Sequence, residues 1–350
     1  MAMLEPSLSK TAPKAGNFRG VRVYNGLGIV WFVWLVSFLM GAQLLVLLNF
    51  ELPWWAKHLE QLFPVLAGSC AFGLFDDWAG SHQIKGFKGH LKALAHGQLT
   101  TGGLKFLGIG FLSLFLAISL FYDGAGSILK VVLVTCIVAL GANLMNLFDL
   151  RPGRAGKMYL LGLLIAVICI VSFGMIDRLG WLGLLALVLA ALGPLVAVWH
   201  FDLGEKGMLG DAGANSMGVF LGFLFATSLP IWGLAVLAVG LAAVNLLSER
   251  ISFTRIIEGN RFLSTLDELG RPKTIGTTDI KPDTDADTNK NADRNNYTNA
   301  ETDADTNTTA NITTNADTNT TANITTNTER NTTTNTDTIG SIDSTQTTGK

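Results

Sequence analysis

Charge is what this sequence has least of where it matters. Asp, Glu, Lys and Arg make up 15% of its 350 residues, and inside the long apolar runs between residues 27 and 248 they almost vanish. Soluble domains average about 25% charged residues, so an ordinary water-exposed fold is excluded for that stretch. Cysteine is scarce as well. Cys70, Cys136 and Cys169 all sit within apolar runs, and no pair has zinc or redox spacing. The runs lack the alternation of barrel strands, which leaves helices as the only way to cross a bilayer. The first run is longer than a signal-peptide core, and no small-residue cleavage site follows it cleanly, so it reads as a retained span. The net charge of −2 excludes little, because an acidic tail masks a basic remainder. No nucleic-acid partner is expected.

What is present is apolar length. A span needs about 20 apolar residues to cross about 30 Å of hydrocarbon. Candidate spans cover 27–49, 60–76, 103–122, 128–148, 158–176, 180–200, 215–229 and 231–248. The last two are divided only by Leu229-Pro230, which reads as a turn. With the N-terminus inside, the inner loops hold Lys10, Lys14, Arg19, Arg22, Lys85, Lys88, Lys92, Arg151, Arg154, Lys157, Lys206, Arg250 and Arg255. The outer loops hold Lys57, Lys130 and Arg178. This asymmetry follows the positive-inside rule. The expected fold is an all-α, polytopic helical bundle of about eight spans in the plasma membrane, with both termini cytoplasmic. Its parts are a cytoplasmic segment (1–26), a transmembrane domain (27–248), a cytoplasmic loop (249–273) and a tail (274–350). The tail is rich in Thr, Asn and Asp and repeats a twelve-residue unit from Asp305 and again from Asp317. It has too few apolar residues to form a core and is expected to be disordered.

The acids fall at the ends of these runs. Asp76-Asp77 closes one, with Lys85, Lys88 and Lys92 after it. Adjacent carboxylates at a membrane helix end need a cation or a substrate to balance them. Mg²⁺ commonly takes one or two carboxylates plus phosphate oxygens. Lys88 and Lys92 are four apart and share a helix face. Asn143, Asn146 and Asp149 form a second group at spacings of three, followed by Arg151, Arg154 and Lys157. Hydrogen bonding between helices is the plain alternative for the two asparagines. The third group is a Gly-rich loop, Gly204 to Gly218, that carries Asp211. Such a loop entering a helix lets backbone N–H groups approach phosphate, while its small residues also suit close helix packing.

In order, these three groups resemble the signatures of the polyprenyl-phosphate N-acetylhexosamine-1-phosphate transferases. That family includes bacterial phospho-MurNAc-pentapeptide translocase and the GlcNAc-1-phosphate transferases. Its patterns are Asp-Asp with a downstream Lys, Asn-x-x-Asn-x-x-Asp-Gly, and Met-Gly-Asp-x-Gly-Ser. The segment from Asn17 to Gly28 resembles the loop before the family's second helix, and the likeness spans roughly residues 17–272. The chain departs from the family in several places. The family usually has ten spans. Here Asp149 is followed by Leu150 rather than Gly, and Pro152 replaces a second Asp. Ala214 stands where Ser is usual, and residues 249–273 hold no His.

The resemblance implies transfer of a sugar-1-phosphate from a UDP-N-acetylhexosamine to a polyprenyl (undecaprenyl) phosphate, releasing UMP, for cell-envelope glycans such as peptidoglycan. It implies Mg²⁺, or Mn²⁺ in its place, with Asp211, Asp76 and Asp77 as catalytic and metal-binding residues. Lys88, Lys92, Asn143, Asn146, Asp149, Arg151 and Arg154 are then expected to bind substrate. The partners are the UDP-sugar, the prenyl phosphate and the bilayer, with a homodimer as a possible assembly. The alternative is a family member without catalysis, acting as a membrane binding or scaffold protein. A transporter fits less well, because its ionisable groups belong near the midplane rather than at one boundary.

Overall fold

The computed structural model describes residues 14–49, 54–79 and 86–272. The chain divides into two units, Met1–Gly276 and Thr277–Lys350. The expected disordered tail, and Lys85, lie outside the described residues.

Two short strands open the described chain: β1 (Lys14–Gly16) and β2 (Arg22–Tyr24), antiparallel with Lys14 opposite Tyr24. Asn17 makes their turn, its Oδ1 accepting the N–H groups of Arg19 and Val21. The all-α expectation did not include this hairpin. The helices are α1 (Ile29–Leu47), α2 (Trp54–Ala79), α3 (Gly86–Ala95), α4 (Thr101–Phe121), α5 (Ile128–Phe148), α6 (Arg154–Ser172), α7 (Ile176–Leu203), α8 (Gly210–Ser228), α9 (Ile231–Ser248), α10 (Phe253–Gly259) and α11 (Arg261–Glu268). A 3₁₀ turn (Ala125–Ser127) leads into α5. Thr100 caps α4 and Asn260 caps α11, each through a side-chain oxygen that accepts backbone N–H groups. Pro230 precedes α9, so Leu229-Pro230 does separate two helices. Gly180 breaks α7, with φ 69° and ψ 162°.

Among the described residues six helices are long and apolar enough to cross a membrane: α1, α4, α5 with its 3₁₀ turn, α6, α7 and α9. Their outward faces are apolar: Phe111, Leu182 and Val236 are 72%, 80% and 69% exposed. Soluble surfaces rarely present such continuous apolar area. The chain thus fits a multi-pass membrane protein built as an all-α bundle. The remaining long helices, α2 and α8, fall outside that set, and they are the two that carry Asp76-Asp77 and Asp211.

The low hydropathy of α8 has a packing reason. All but three of its 19 residues are buried, the exceptions being Asp211, Phe225 and Thr227. Glycines from three elements meet it backbone to backbone. A Cβ on Gly28 would lie 1.9 Å from the Gly213 nitrogen, and one on Gly73 would lie 2.5 Å from the Ala212 Cα. A Cβ on Gly218 would lie 2.3 Å from the Gly141 carbonyl oxygen. Close approach of this kind replaces side-chain burial as the cohesive force where lipid competes for apolar surface. Beside this axis, Trp31 meets Tyr159 edge-on at 5.3 Å, and the Tyr159 hydroxyl donates to the Ala191 carbonyl at 3.1 Å.

This packing makes a contrast between two glycines. Gly218→Leu forces two backbones apart and is expected to cost at least about 1–3 kcal/mol. Gly240→Leu, whose Cβ meets nothing within 4 Å, is expected to leave stability unchanged. Thermal unfolding of both variants in detergent measures this, and equal midpoints would refute the α8 axis.

Candidate functional site

The first turn of α8 begins inside the protein, so its free N–H groups need acceptors there. Three carboxylates from three elements supply them. Asp77, near the end of α2, accepts from Asp211 N–H at 3.0 Å and from Ala212 N–H at 3.3 Å. Asp149, just past α5, faces the Gly210 backbone, which favours its charged form. Asp202, near the end of α7, takes the Leu209 backbone and also the Gly153 N–H at 2.8 Å. Gly210 has φ 71°, and a Cβ there would lie 2.6 Å from an Asp77 oxygen, so only glycine permits this approach. Asn25 adds a donor to Asp77 at 3.4 Å. The N-terminal hairpin fixes the loop from its other side. Met208 N–H donates to the Tyr24 carbonyl at 2.7 Å, and Gly28 N–H donates to the Leu209 carbonyl at 2.9 Å.

With its backbone held this way, Asp211 turns its side chain to Lys105. The Lys105 ammonium bridges Asp211 and Asp76, the latter at 2.7 Å. Two anionic oxygens from α2 and α8 therefore converge on one cation from α4. Burial pushes the Asp149 carboxyl well above its ordinary value, and the nearby charges of Asp202, Asp211 and Asp77 add to the effect. Among the described residues no three His, Cys, Asp or Glu side chains are arranged to hold a metal ion by themselves. The hard-oxygen pair of Asp76 and Asp211, already gathered around a cation, does fit a Mg²⁺ that draws further oxygens from phosphate.

The structure thus brings Asp76, Asp77, Asp149 and Asp211 together, and it separates other residues expected at the site. Asn143 donates to Asn245 of α9 at 2.6 Å, an inter-helix hydrogen bond. Asn146 is half-buried one turn further on. Lys92 is exposed on α3, and the Lys88 side chain lies outside the described positions. Arg151 pairs with Glu258 at 2.6 Å and lies over the Phe18 ring. Arg154 is 3% exposed. It grips Asp267 with two hydrogen bonds of 2.8 Å and donates to Thr254 at 3.1 Å. Arg271 joins Asp267 at 2.9 Å, and Lys157 donates to the Asp267 carbonyl at 2.6 Å. The basic run after Asp149 therefore clamps the segment 249–272 onto the bundle. Burial acts to raise the Asp267 carboxyl, but Arg154 and then Arg271 outweigh it and hold it below the ordinary 3.8.

Sequence reasoning missed Lys105, Asn25, Asp202 and Asp267. A single Lys one turn into an apolar run was a usable signal for the first, since an ionisable group there implies a partner. Asp202 gave the same signal at the end of its run.

Breaking the buried Arg154–Asp267 pair with Asp267→Asn is expected to cost about 3–5 kcal/mol of strap docking. Trypsin at neutral pH then cuts after Arg255 and Arg261 faster than in the wild type. The pH sign follows from the lowered carboxyl. The pair's contribution is complete above pH 3.8 and is lost as pH falls through the lower folded value. Hydrogen exchange of residues 261–268 reads this directly, and protection that persists unchanged in the Asn variant would refute the clamp.

No family model, no curated protein and no solved structure matches this chain.

Proposed function

We propose that this chain is a Mg²⁺-dependent phosphotransferase that moves a sugar-1-phosphate from a UDP-N-acetylhexosamine to a polyprenyl phosphate and releases UMP. It acts as a divergent member of the transferase family its motifs resemble. On this reading the chain has eight spans, α2 and α8 included, and the acidic end of the bundle faces the cytoplasm. One observation supports it most: acids from three separate sequence motifs meet at the first turn of one helix, beside a single lysine.

The chemistry asked of the site is mainly electrostatic. A phosphate monoester is largely dianionic above its second pKa of about 6, so the acceptor needs no strong base at neutral pH. Its oxygen forms a bond to the β-phosphorus of the donor, the bridging bond to the α-phosphate breaks, and UMP leaves with that electron pair. The obstacle is repulsion between two anionic substrates, which fixed cations relieve. Asp76 and Asp211 would hold Mg²⁺, which when bound would supply charge neutralisation to the diphosphate. Lys105 holds the two carboxylates facing each other and places its ammonium between them. Asp77 is a positioning residue, because its oxygens are used on the α8 backbone. Asp149 fixes Gly210 and so sets where the Gly-rich loop presents its N–H groups. Lys92 on α3 is exposed and remains available to phosphate.

Purified protein given Mg²⁺, undecaprenyl phosphate and a panel of UDP-N-acetylhexosamines tests this. UMP release that depends on the acceptor is expected with one donor. Asp211→Asn and Lys105→Met are each expected to lower it by about 10²–10³-fold. Gly240→Leu is expected to leave it unchanged. A folded wild-type protein that binds the prenyl phosphate yet turns over no donor would replace this reading with the binding or scaffold alternative.

A further inference from the structure

The strap that Asp267 pins down has a second, outward side. On α11 the exposed large apolar residues are Phe262 and Leu266, at 74% and 49%, and Leu269 follows just past its end, at 64%. Phe262 and Leu266 are four apart and so share one face of the helix. Asp267 lies on another face and points to Arg154 and Arg271. Leu263 is only half-buried, and it flanks the inner side. The helix is thus held from within by an ion pair while its apolar stripe is left uncovered.

The surroundings of the stripe say what covers it. The strap starts at the end of α9, a helix apolar enough to cross a membrane. Exposed apolar residues run on from that helix into the strap: Leu246, Leu247, Ile251 and Ile256. Two acids of the strap are taken by ion pairs, while Glu249 and Glu268 are exposed. The acids Glu258 and Asp267 turn to arginines of the 149–154 connection. Arg250, Arg255 and Arg261 stay exposed, and among the described residues none of them has an ion-pair partner. An apolar stripe flanked by free arginines, continuous with a span end, has the make-up of an interfacial helix on anionic lipid.

We propose that residues 249–272 form a lipid-docking surface. In this arrangement Phe262, Leu266 and Leu269 enter the headgroup boundary of the adjoining leaflet, and Arg250, Arg255 and Arg261 meet lipid phosphates. This goes beyond the transferase reading and does not rest on it.

The test uses the full chain with Cys70, Cys136 and Cys169 replaced by Ala. A nitroxide is attached at Phe262→Cys, Leu266→Cys or Glu268→Cys, and the protein is placed in nanodiscs of phosphatidylcholine with phosphatidylglycerol. Collision with oxygen reports acyl-chain contact, and collision with a water-soluble nickel chelate reports aqueous exposure. Labels at 262 and 266 are expected to favour oxygen, and the label at 268 to favour the chelate. Removing phosphatidylglycerol is expected to make the first two labels shallower. Labels at 262 and 266 open to the chelate would overturn the proposal, because the stripe then faces water. Labels shielded from both reagents would overturn it too, because the stripe then meets protein, such as a second copy of this chain. All three sites are surface positions, so agreement between 262 and 266 guards against a local folding defect.

Discussion

The whole acidic end of this bundle depends on satisfying the first turn of α8. A helix that begins in the interior leaves backbone donors with no water to turn to, and each one left unmet costs about 1–3 kcal/mol. Asp77, Asp149 and Asp202 answer them from α2, the end of α5 and α7. The exchange is reciprocal. The N-terminal end of a helix carries a partial positive charge, so the donors that need carboxylates are also what make buried carboxylates tolerable. Removing either side would strand the other. This mutual requirement ties four elements to one point and explains why glycine is needed at 28, 73 and 210, where nothing bulkier lets the elements close.

The same arrangement leaves a charge surplus. Asp76, Asp77, Asp149, Asp202 and Asp211 lie in one neighbourhood, and Lys105 is the cation bonded into it. Backbone N–H groups stabilise three of these acids without adding full charge. Burial pushes the Asp149 carboxyl upward, and the neighbouring acids add to that push. A protein that needed only a capped helix would not place Asp76 and Asp211 against each other as well. On the proposed reading that extra pair is the reason for the site, since a divalent cation removes the surplus and joins the protein to phosphate.

The helix runs were legible in the sequence because length and hydropathy are local properties. Each of the eight apolar runs falls on a long helix, and the Leu229-Pro230 break lies where proline chemistry puts it. The acids were legible because a carboxylate at the end of an apolar run has no other local explanation. Partners were not legible. Arg154 sits in a basic run that suits phosphate, but the residue that takes it is Asp267, 113 positions away. Asn143 presents the same problem, since its partner Asn245 belongs to another helix 102 positions on. Residue type and spacing give what a side chain can bind. Which partner it meets depends on which helices become neighbours, and that is set by the small-residue contacts along α8.

These non-local pairings give the 149–154 connection a role beyond joining two helices. At one end Asp149 holds the Gly210 backbone at the head of α8, and at the other Arg154 grips the strap. Between them, Pro152 accepts from Arg271 at 2.7 Å and Gly153 donates to Asp202. Nearly every residue of this short segment is therefore fixed from a different direction. A segment restrained this way cannot shift at one end without straining the other. The position of the strap and the position of the carboxylate beside Gly210 are then a single structural variable. Pro152, a rigid residue, and Arg154, a buried arginine, together lock the connection to the strap.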